Sequence, residues 1–298
     1  MAEPSLVELG ERGLIVVAGE DRRAFLQGLI SNDVEKVGPD RAIHAALLTA
    51  QGKYLHDFFV AALAETLVLD GEAARLADLQ RRLSMYKLRA KVTLAPAAAD
   101  LAVFAAFGDG ALAALKLPAE AGAARPYAGG VAFVDPRLAA LGARVIAPRD
   151  AAVAALSADG FAAADFAAYD RRRLAEGIPD GSRDLAIEKA ILLEAGFDEL
   201  NGVDWKKGCY IGQELTARTK YRGLIKKRLM PVRVDGPLPP AGTLVTFDGK
   251  EAGEMRSGQD GIALALLRLD VAATAGAAPT LQAAEARLTP LKPAWAKF

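Results

Sequence analysis

The residue types that could do chemistry gather in one stretch. Residues 204–228 read DWKKGCYIGQELTARTKYRGLIKKR, with Lys206, Lys207, Arg218, Lys220, Arg222, Lys226, Lys227 and Arg228 against Asp204 and Glu214. Cys209, the single cysteine of the chain, lies inside it between Gly208 and Tyr210. Glycines at 208 and 212 let the backbone turn tightly and let a ligand approach its amides. A helix is predicted over 213–220, and its N-terminus, with the nearby lysines, would favour the Cys209 thiolate over the thiol. The same cations would attract carboxylate or phosphate groups. Spacing alone also admits a plainer reading, a small buried cysteine beside a solvated basic face.

The elements that must position this stretch read as α+β. A β-prone run at 14–18 precedes a helix with Phe25, Leu26, Leu29 and Ile30 on one face, and Asp21 is placed to cap it. Strands are expected at 43–49 and 55–63, joined by a Gln51-Gly52-Lys53 turn, and at 66–70. Apolar steps of three and four predict a helix over 72–88. Strands follow at 91–95, 101–106, 131–134 and 143–147, and helices at 150–156 and 163–176. From Lys227 onward short β runs at 228–234, 243–247, 253–257, 262–268 and 282–288 alternate with Pro and Gly turns, which implies a small barrel or sandwich. We therefore expect a region of two α+β units over 1–226 (roughly 1–95 with 150–226, and 96–149) and a barrel domain over 227–298.

Composition narrows the function classes. At 298 residues, with about 100–200 residues per domain, two or three packed units are expected. Thirty-seven Lys plus Arg balance 37 Asp plus Glu, which argues against a chain devoted to coating nucleic acid or an anionic membrane. One cysteine excludes an internal disulfide framework and fits a reducing compartment; with two histidines it cannot supply a four-thiolate cluster site or a structural zinc site. No stretch reads as a membrane span, and Glu3, Glu8 and Glu11 do not suit a secretory or transit leader, so the cytoplasm is expected.

The string Lys207-Gly208-Cys209-Tyr210-Ile211-Gly212-Gln213-Glu214 resembles the KGCYxGQE signature of YgfZ-type folate-binding proteins. That family is similar to the T-protein, the aminomethyltransferase of the glycine cleavage system. Residues Leu215 to Thr219 and Arg222-Gly223 resemble its mitochondrial and alphaproteobacterial branch. Further resemblance lies in Phe25-Leu26-Gln27-Gly28, Ser31-Asn32-Asp33-Val34, Gln51-Gly52-Lys53, the helix-to-strand junction Tyr86-Lys87-Leu88-Arg89-Ala90-Lys91-Val92, and Glu176-Gly177-Ile178-Pro179.

The resemblance implies a T-protein-like, three-part ring around a central channel for tetrahydrofolate or a one-carbon derivative. It implies a factor for assembly or repair of iron–sulfur clusters that supports 4Fe–4S enzymes and, through such an enzyme, transfer-RNA thiomethylation. Cys209 then corresponds to the functional thiolate or transient cluster ligand, with no permanently bound metal. Lys207 and Arg218 are cations for the thiolate or the folate glutamyl tail, though Arg218 could instead pair with Glu214 one turn earlier. Tyr169 falls where relatives carry a folate-contacting Trp, and Arg12 replaces the other such Trp. Trp205, Tyr210, Gln213, Glu214 and Arg222 complete the expected folate set. Asp57 matches the second Asp of a T-protein pair whose first position is His56 here, so Asp57 is a candidate acid–base group. His44 and His56 lack a third ligand for a metal.

The expected partners are folate and 4Fe–4S client enzymes or cluster carriers, with no membrane. The alternative is a tetrahydrofolate-dependent, aminomethyltransferase-like enzyme, with turnover dependent on Asp57. Direct RNA binding through 218–228 is a third reading, which neutral net charge and a single aromatic, Tyr221, disfavour.

Overall fold

The computed structural model describes residues 4–274 and 281–297. Two compact units emerge: one takes the chain up to Leu48, Leu55–Tyr169 and Leu200–Ile211, and the other takes Thr49–Tyr54, Asp170–Glu199 and the chain from Gly212 onward. The fold is α+β, with a closed barrel at its C-terminal end.

Two sheets build the first unit. The five-stranded sheet has the order Ile43–Leu48, Tyr54–Leu63, Thr66–Glu72, Arg12–Ala18, Thr93–Pro96. Alternation of side chains along each strand gives it two apolar faces. Ile15, Val17, Phe58, Val60, Leu67 and Leu69 share a core with Phe25 and Leu26 of the helix Arg22–Gln27 and with Leu79 and Leu83 of the helix Leu76–Met85. Leu14, Phe59, Ala61 and Val68, on the opposite parity, pack on Val103, Ala105, Phe133 and Ile146 of the six-stranded sheet. That sheet runs Ala162–Ala163, Ser5–Glu8, Leu101–Phe107, Ala143–Pro148, Gly130–Val134, Ala124–Tyr127. Its far face is covered by Ala152 and Leu156 of the helix Arg149–Ala158. Each fully buried Phe or Leu here contributes about 1.5–3 kcal/mol from removal of apolar surface from water.

Asp21 does not cap the first helix. No side-chain cap bond forms there, and its carboxylate accepts from the backbone N–H of Lys91 at 2.8 Å instead, so a segment distant in sequence competes successfully for it.

In the second unit, Lys227–Asp235 pairs with Ile262–Arg268 on one side and with Ala286–Pro290 on the other, closing a barrel that also contains Lys250–Gln259, Leu244–Phe247 and Leu281–Ala283. Closure leaves no unpaired edge. The strand expected at 282–288 is two strands; the chain reverses at Ala284, whose φ of +49° is a glycine-like conformation taken by an alanine, so no turn residue announced it. A buried ion network braces this unit. Arg173 donates to Asp170 at 2.6 Å, to Asp184 at 2.9 Å and to the Ser257 hydroxyl at 2.9 Å. Trp295 donates its indole N–H to the carbonyl of Glu176 at 2.7 Å.

Candidate functional site

In the first unit, the loop carrying Cys209 is seated on the segment that follows the first helix. Ser31 Oγ donates to the Gly202 carbonyl at 2.6 Å, and Asn32 Nδ2 donates to the carbonyls of His44 and Asn201, each at 2.7 Å. The Asp204 N–H donates to the Ser31 carbonyl at 3.0 Å, while the Asp204 carboxylate takes an ion pair from Lys36 and the Lys206 N–H at 2.6 Å. Burial opposes ionisation of Asp204, but those hydrogen bonds outweigh it and hold the carboxyl below its ordinary range. A cavity of about 190 Å³ opens at the root of this loop, lined by Asn32, Lys36, Arg41, Asn201, Val203 and Asp204.

Lys207 turns inward. Its Nζ donates to the carbonyls of Gln27 and Ile30, each at 2.6 Å, and stands 5.0 Å from the centre of the Tyr210 ring. Burial pushes its ammonium down to about 8, against the pull of Asp33 and Asp204. A cation at carbonyls just past a helix end is well placed for the backbone dipoles. Tyr210 is buried and Ile211 packs against the core of the first helix, so both ends of the string are anchored. Gly208 and Cys209 between them are exposed. Trp205 is half-buried.

The other expected residues of this unit lie in its interior. Asp57 is buried and shares a hydrogen bond with His44 Nε2 at 3.1 Å; burial pushes the His44 imidazole below its ordinary value, and Asp57 offsets this only in part. His56 pairs separately with Asp78 at 2.9 Å, so the two histidines serve different sites. The Tyr169 hydroxyl accepts from Arg144 at 3.3 Å, and its ring lies tilted against Phe107 and Phe166 at 5.7 and 6.4 Å. Arg12 donates to Asp70 at 2.7 Å. Asp70, 0% exposed, also accepts from Arg144 at 3.0 Å. With Asp135 and Arg137 this makes a buried ring of charge in which Arg144, Arg137 and Arg12 stand 4.0, 4.9 and 5.7 Å from the centre of the Phe59 ring.

In the second unit, Gly212 begins the helix Gln213–Tyr221 in a left-handed conformation. Gly52, at φ +72°, forms the tip of the predicted turn, and a Cβ there would lie 2.8 Å from the Gly212 carbonyl oxygen and from Leu215. Only a glycine tip fits against the start of this helix. Thr216 and Thr219 face inward; Gln213 is half-buried; Glu214, Arg218 and Arg222 are exposed. Glu214 and Arg218 form no ion pair with each other.

The structure thus brings Lys207, Cys209, Tyr210 and Trp205 together on one loop and holds Asp57 and Tyr169 in the core of the same unit. Two features escaped the sequence reading. One is the buried charge ring. The other, in the second unit, is Glu194, a half-buried carboxyl pushed up by burial that lines a cavity of about 240 Å³ with Lys189, Arg256 and Leu229. Neither has a local motif. Among the described residues no group of three or more His, Cys, Asp or Glu is placed to hold a metal ion, and no helix is long and apolar enough to cross a membrane.

Comparison with known proteins widens the view. Residues 226–298 match the C-terminal β-barrel domain of CAF17. The chain is 38% identical over 282 residues to the mitochondrial iron–sulfur cluster assembly factor IBA57 of Mus musculus, covering 87% of this chain and 76% of the relative. The Homo sapiens protein of that name is 37% identical with the same coverage, and an Aspergillus clavatus homologue is 33% identical over 88% of this chain and 70% of its own length. In three dimensions the chain resembles glycine cleavage system aminomethyltransferase T from Bartonella henselae, with a TM-score of 0.76 and 17% identity, covering 99% of this chain and 87% of that one.

These likenesses bear out the T-protein-like α+β fold and correct two expectations. The assignment to YgfZ-type proteins does not stand, because the match over most of the chain runs to IBA57 factors. An eight-residue string marks a local site and does not decide the family of the whole chain. The cytoplasmic expectation does not stand either, since the relatives are mitochondrial by name. A lone cysteine indicates a reducing environment without separating one reducing compartment from another.

Proposed function

The chain belongs to the IBA57 family of iron–sulfur cluster assembly factors, and from that premise we propose that Cys209 supplies one thiolate to a cluster in transit, shared with a partner protein. The observation that carries this reading is the exposed Cys209 on a loop anchored on one side by Lys207 and on the other by the buried Tyr210. The thiol releases its proton to solvent, and the thiolate takes a coordination position given up by another ligand; no electron changes hands. A cluster requires about four protein ligands. Here the two histidines are buried and engaged with Asp57 and Asp78, so this chain offers a single soft ligand and the partner must bring the rest. Lys207 acts as a positioning residue that fixes the loop. The clients proposed are 4Fe–4S enzymes, and any effect on transfer-RNA thiomethylation would pass through such a client.

Tetrahydrofolate, which a T-protein-like fold suggests, meets a poor fit at two of its nominated residues. The Tyr169 ring is packed against Phe107 and Phe166, and the Asp57 carboxylate is engaged with His44, so neither offers a pterin an open face or a free acid. These contacts favour neither a folate-dependent step at Tyr169 nor aminomethyl transfer by Asp57. On the helix Gln213–Tyr221 of the second unit and its C-cap, Gln213, Arg218 and Arg222 remain proposed to meet an anionic ligand.

The decisive experiment replaces Cys209 by Ser. Support of a 4Fe–4S reporter enzyme in cells lacking the factor should be lost, while the melting temperature of the purified protein stays within about 1 °C, as expected for an exposed side chain. Full complementation by Cys209→Ser overturns the assignment.

A further inference from the structure

The junction between the helix Leu76–Met85 and the strand Thr93–Pro96 is built against the ordinary logic of folding. Met85, Tyr86 and Leu88 are 57, 44 and 90% exposed. Leu88 also sits at φ +42°, a left-handed conformation that a leucine adopts at a cost and that a glycine or asparagine would take freely. Neither burial nor backbone geometry calls for an apolar side chain there. The turn is nevertheless held by hydrogen bonds and packing. The N–H groups of Tyr86, Lys87 and Ala90 bond back to Leu83, Ser84 and Lys87, and Ala90 and Val92 pack into the core. The Lys91 N–H is held by Asp21 at 2.8 Å, and its ammonium by Glu20 at 2.9 Å.

Along the sequence, the charges flanking this apolar tip have one sign. From Leu79 to Ala99 the chain carries Arg81, Arg82, Lys87, Arg89 and Lys91 and no acidic residue. Arg81 and Arg82 are paired with Asp78 and Lys91 with Glu20, whereas Lys87 and Arg89 have no side-chain partner among the described residues. Exposed Met, Tyr and Arg around a leucine are the composition of an interface centre, and the two free cations ask for an acidic surface opposite.

Position ties this tip to Cys209. Asp21, which holds Lys91, directly precedes the helix Arg22–Gln27, and Gln27, whose carbonyl holds Lys207, ends it. Six helical residues span about 9 Å. The Leu88 turn and the cysteine loop are therefore fastened to opposite ends of one short helix within one compact unit.

We propose that Met85, Tyr86, Leu88 and Arg89, with Lys87, form the docking surface for an acidic protein partner, the one that carries the cluster to or from Cys209. Leu88 enters an apolar pocket of that partner while Lys87 and Arg89 meet carboxylates at its rim. The inference deepens the proposed role of Cys209 and rests on it.

The test is calorimetric titration of the full-length chain with a small acidic iron–sulfur carrier protein of the same cell, purified free of cluster. Leu88→Asp and Arg89→Glu should each weaken binding at least tenfold, and Cys209→Ser should bind within twofold of the unmodified chain. Leu88→Gly should weaken binding similarly while raising the melting temperature, because it relieves the left-handed strain; that combination rules out misfolding as the cause. Binding of Leu88→Asp and Leu88→Gly within twofold of the unmodified chain overturns the proposal. So does an equal loss in Cys209→Ser without cluster, which would place docking on the loop. Leu88-dependent sedimentation with phosphatidylcholine–cardiolipin vesicles, with no binding of the carrier, overturns it in favour of a membrane. If Cys209→Ser still supports the reporter enzyme while Leu88 governs carrier binding, the cluster reading fails and the docking surface stands.

Discussion

Lys207 and Gln27 hold each other's backbone. Nζ of Lys207 donates to the carbonyl of Gln27 at 2.6 Å, and Nε2 of Gln27 donates to the carbonyl of Lys207 at 3.4 Å. Residues 180 positions apart in sequence are thereby closed into a reciprocal clasp, and the reach of the neighbouring thiol from the protein surface is set by it.

Replacing Lys207 by Met keeps the stem over Tyr210 and removes both donations. Leaving two partly buried carbonyls short of a donor should cost about 1–3 kcal/mol, read by urea denaturation, and should lower support of the reporter enzyme. Alkali gives a second, independent readout. The folded ammonium is held down to about 8, below its unfolded value of about 10.4. Below pH 8 the cost of burying the charge is present in full. Between about 8 and 10.4 the unfolded chain binds more protons, so this residue's contribution to stability rises with pH. A neutral amine still has the two hydrogens that Gln27 and Ile30 require. The rise should be absent in Lys207→Met.

The charge ring around Phe59 predicts a larger effect. Asp70 accepts from both Arg12 and Arg144 without contact with solvent. Asp70→Asn leaves two guanidiniums under-compensated and should cost about 3–5 kcal/mol in chemical denaturation. Acid should act at Asp135. Burial disfavours its charge, but Arg137 and Arg144 prevail and hold the carboxyl near 2. Its stabilising contribution is complete above about pH 4 and is lost as pH falls toward 2. Asp135→Asn should flatten that limb of the stability profile.

Calorimetry with tetrahydrofolate separates the ligand proposals. If folate binds, Tyr169→Phe and Asp57→Asn should each change its affinity less than twofold, because their side chains are engaged with Arg144 and His44. Arg218→Ala should weaken it more. A tenfold loss in Tyr169→Phe would reverse this ranking.

Much of this was legible beforehand, for local reasons. The cysteine loop announced itself through one thiol between two glycines, and Gly52 between two apolar runs marked a hairpin tip. The helix starting at Gln213 and most barrel strands follow from short-range pattern. Lys207 read as a cation for the thiolate or the folate tail; its bonds to the carbonyls of Gln27 and Ile30 had no local signal, because those residues lie far away in sequence. The charge ring was hidden because Arg12, Asp70 and Arg144 each look like surface charges in a strand. A signal existed in parity: each lies two positions from a core residue, Arg12 from Leu14, Asp70 from Val68 and Arg144 from Ile146. Side chains two apart point to one face, so the charges had to be inside. The double strand after residue 280 stayed hidden because an alanine made its turn.

The barrel's seam bears on synthesis. Lys227–Asp235 finds one neighbour some thirty residues later but receives the other only when Ala286–Pro290 emerges, more than fifty residues after it. Until then the nascent domain exposes an open border able to pair with other chains. A chain broken off before Ala286–Pro290 would carry its cysteine loop but an unsealed barrel, a natural substrate for chaperones or proteases.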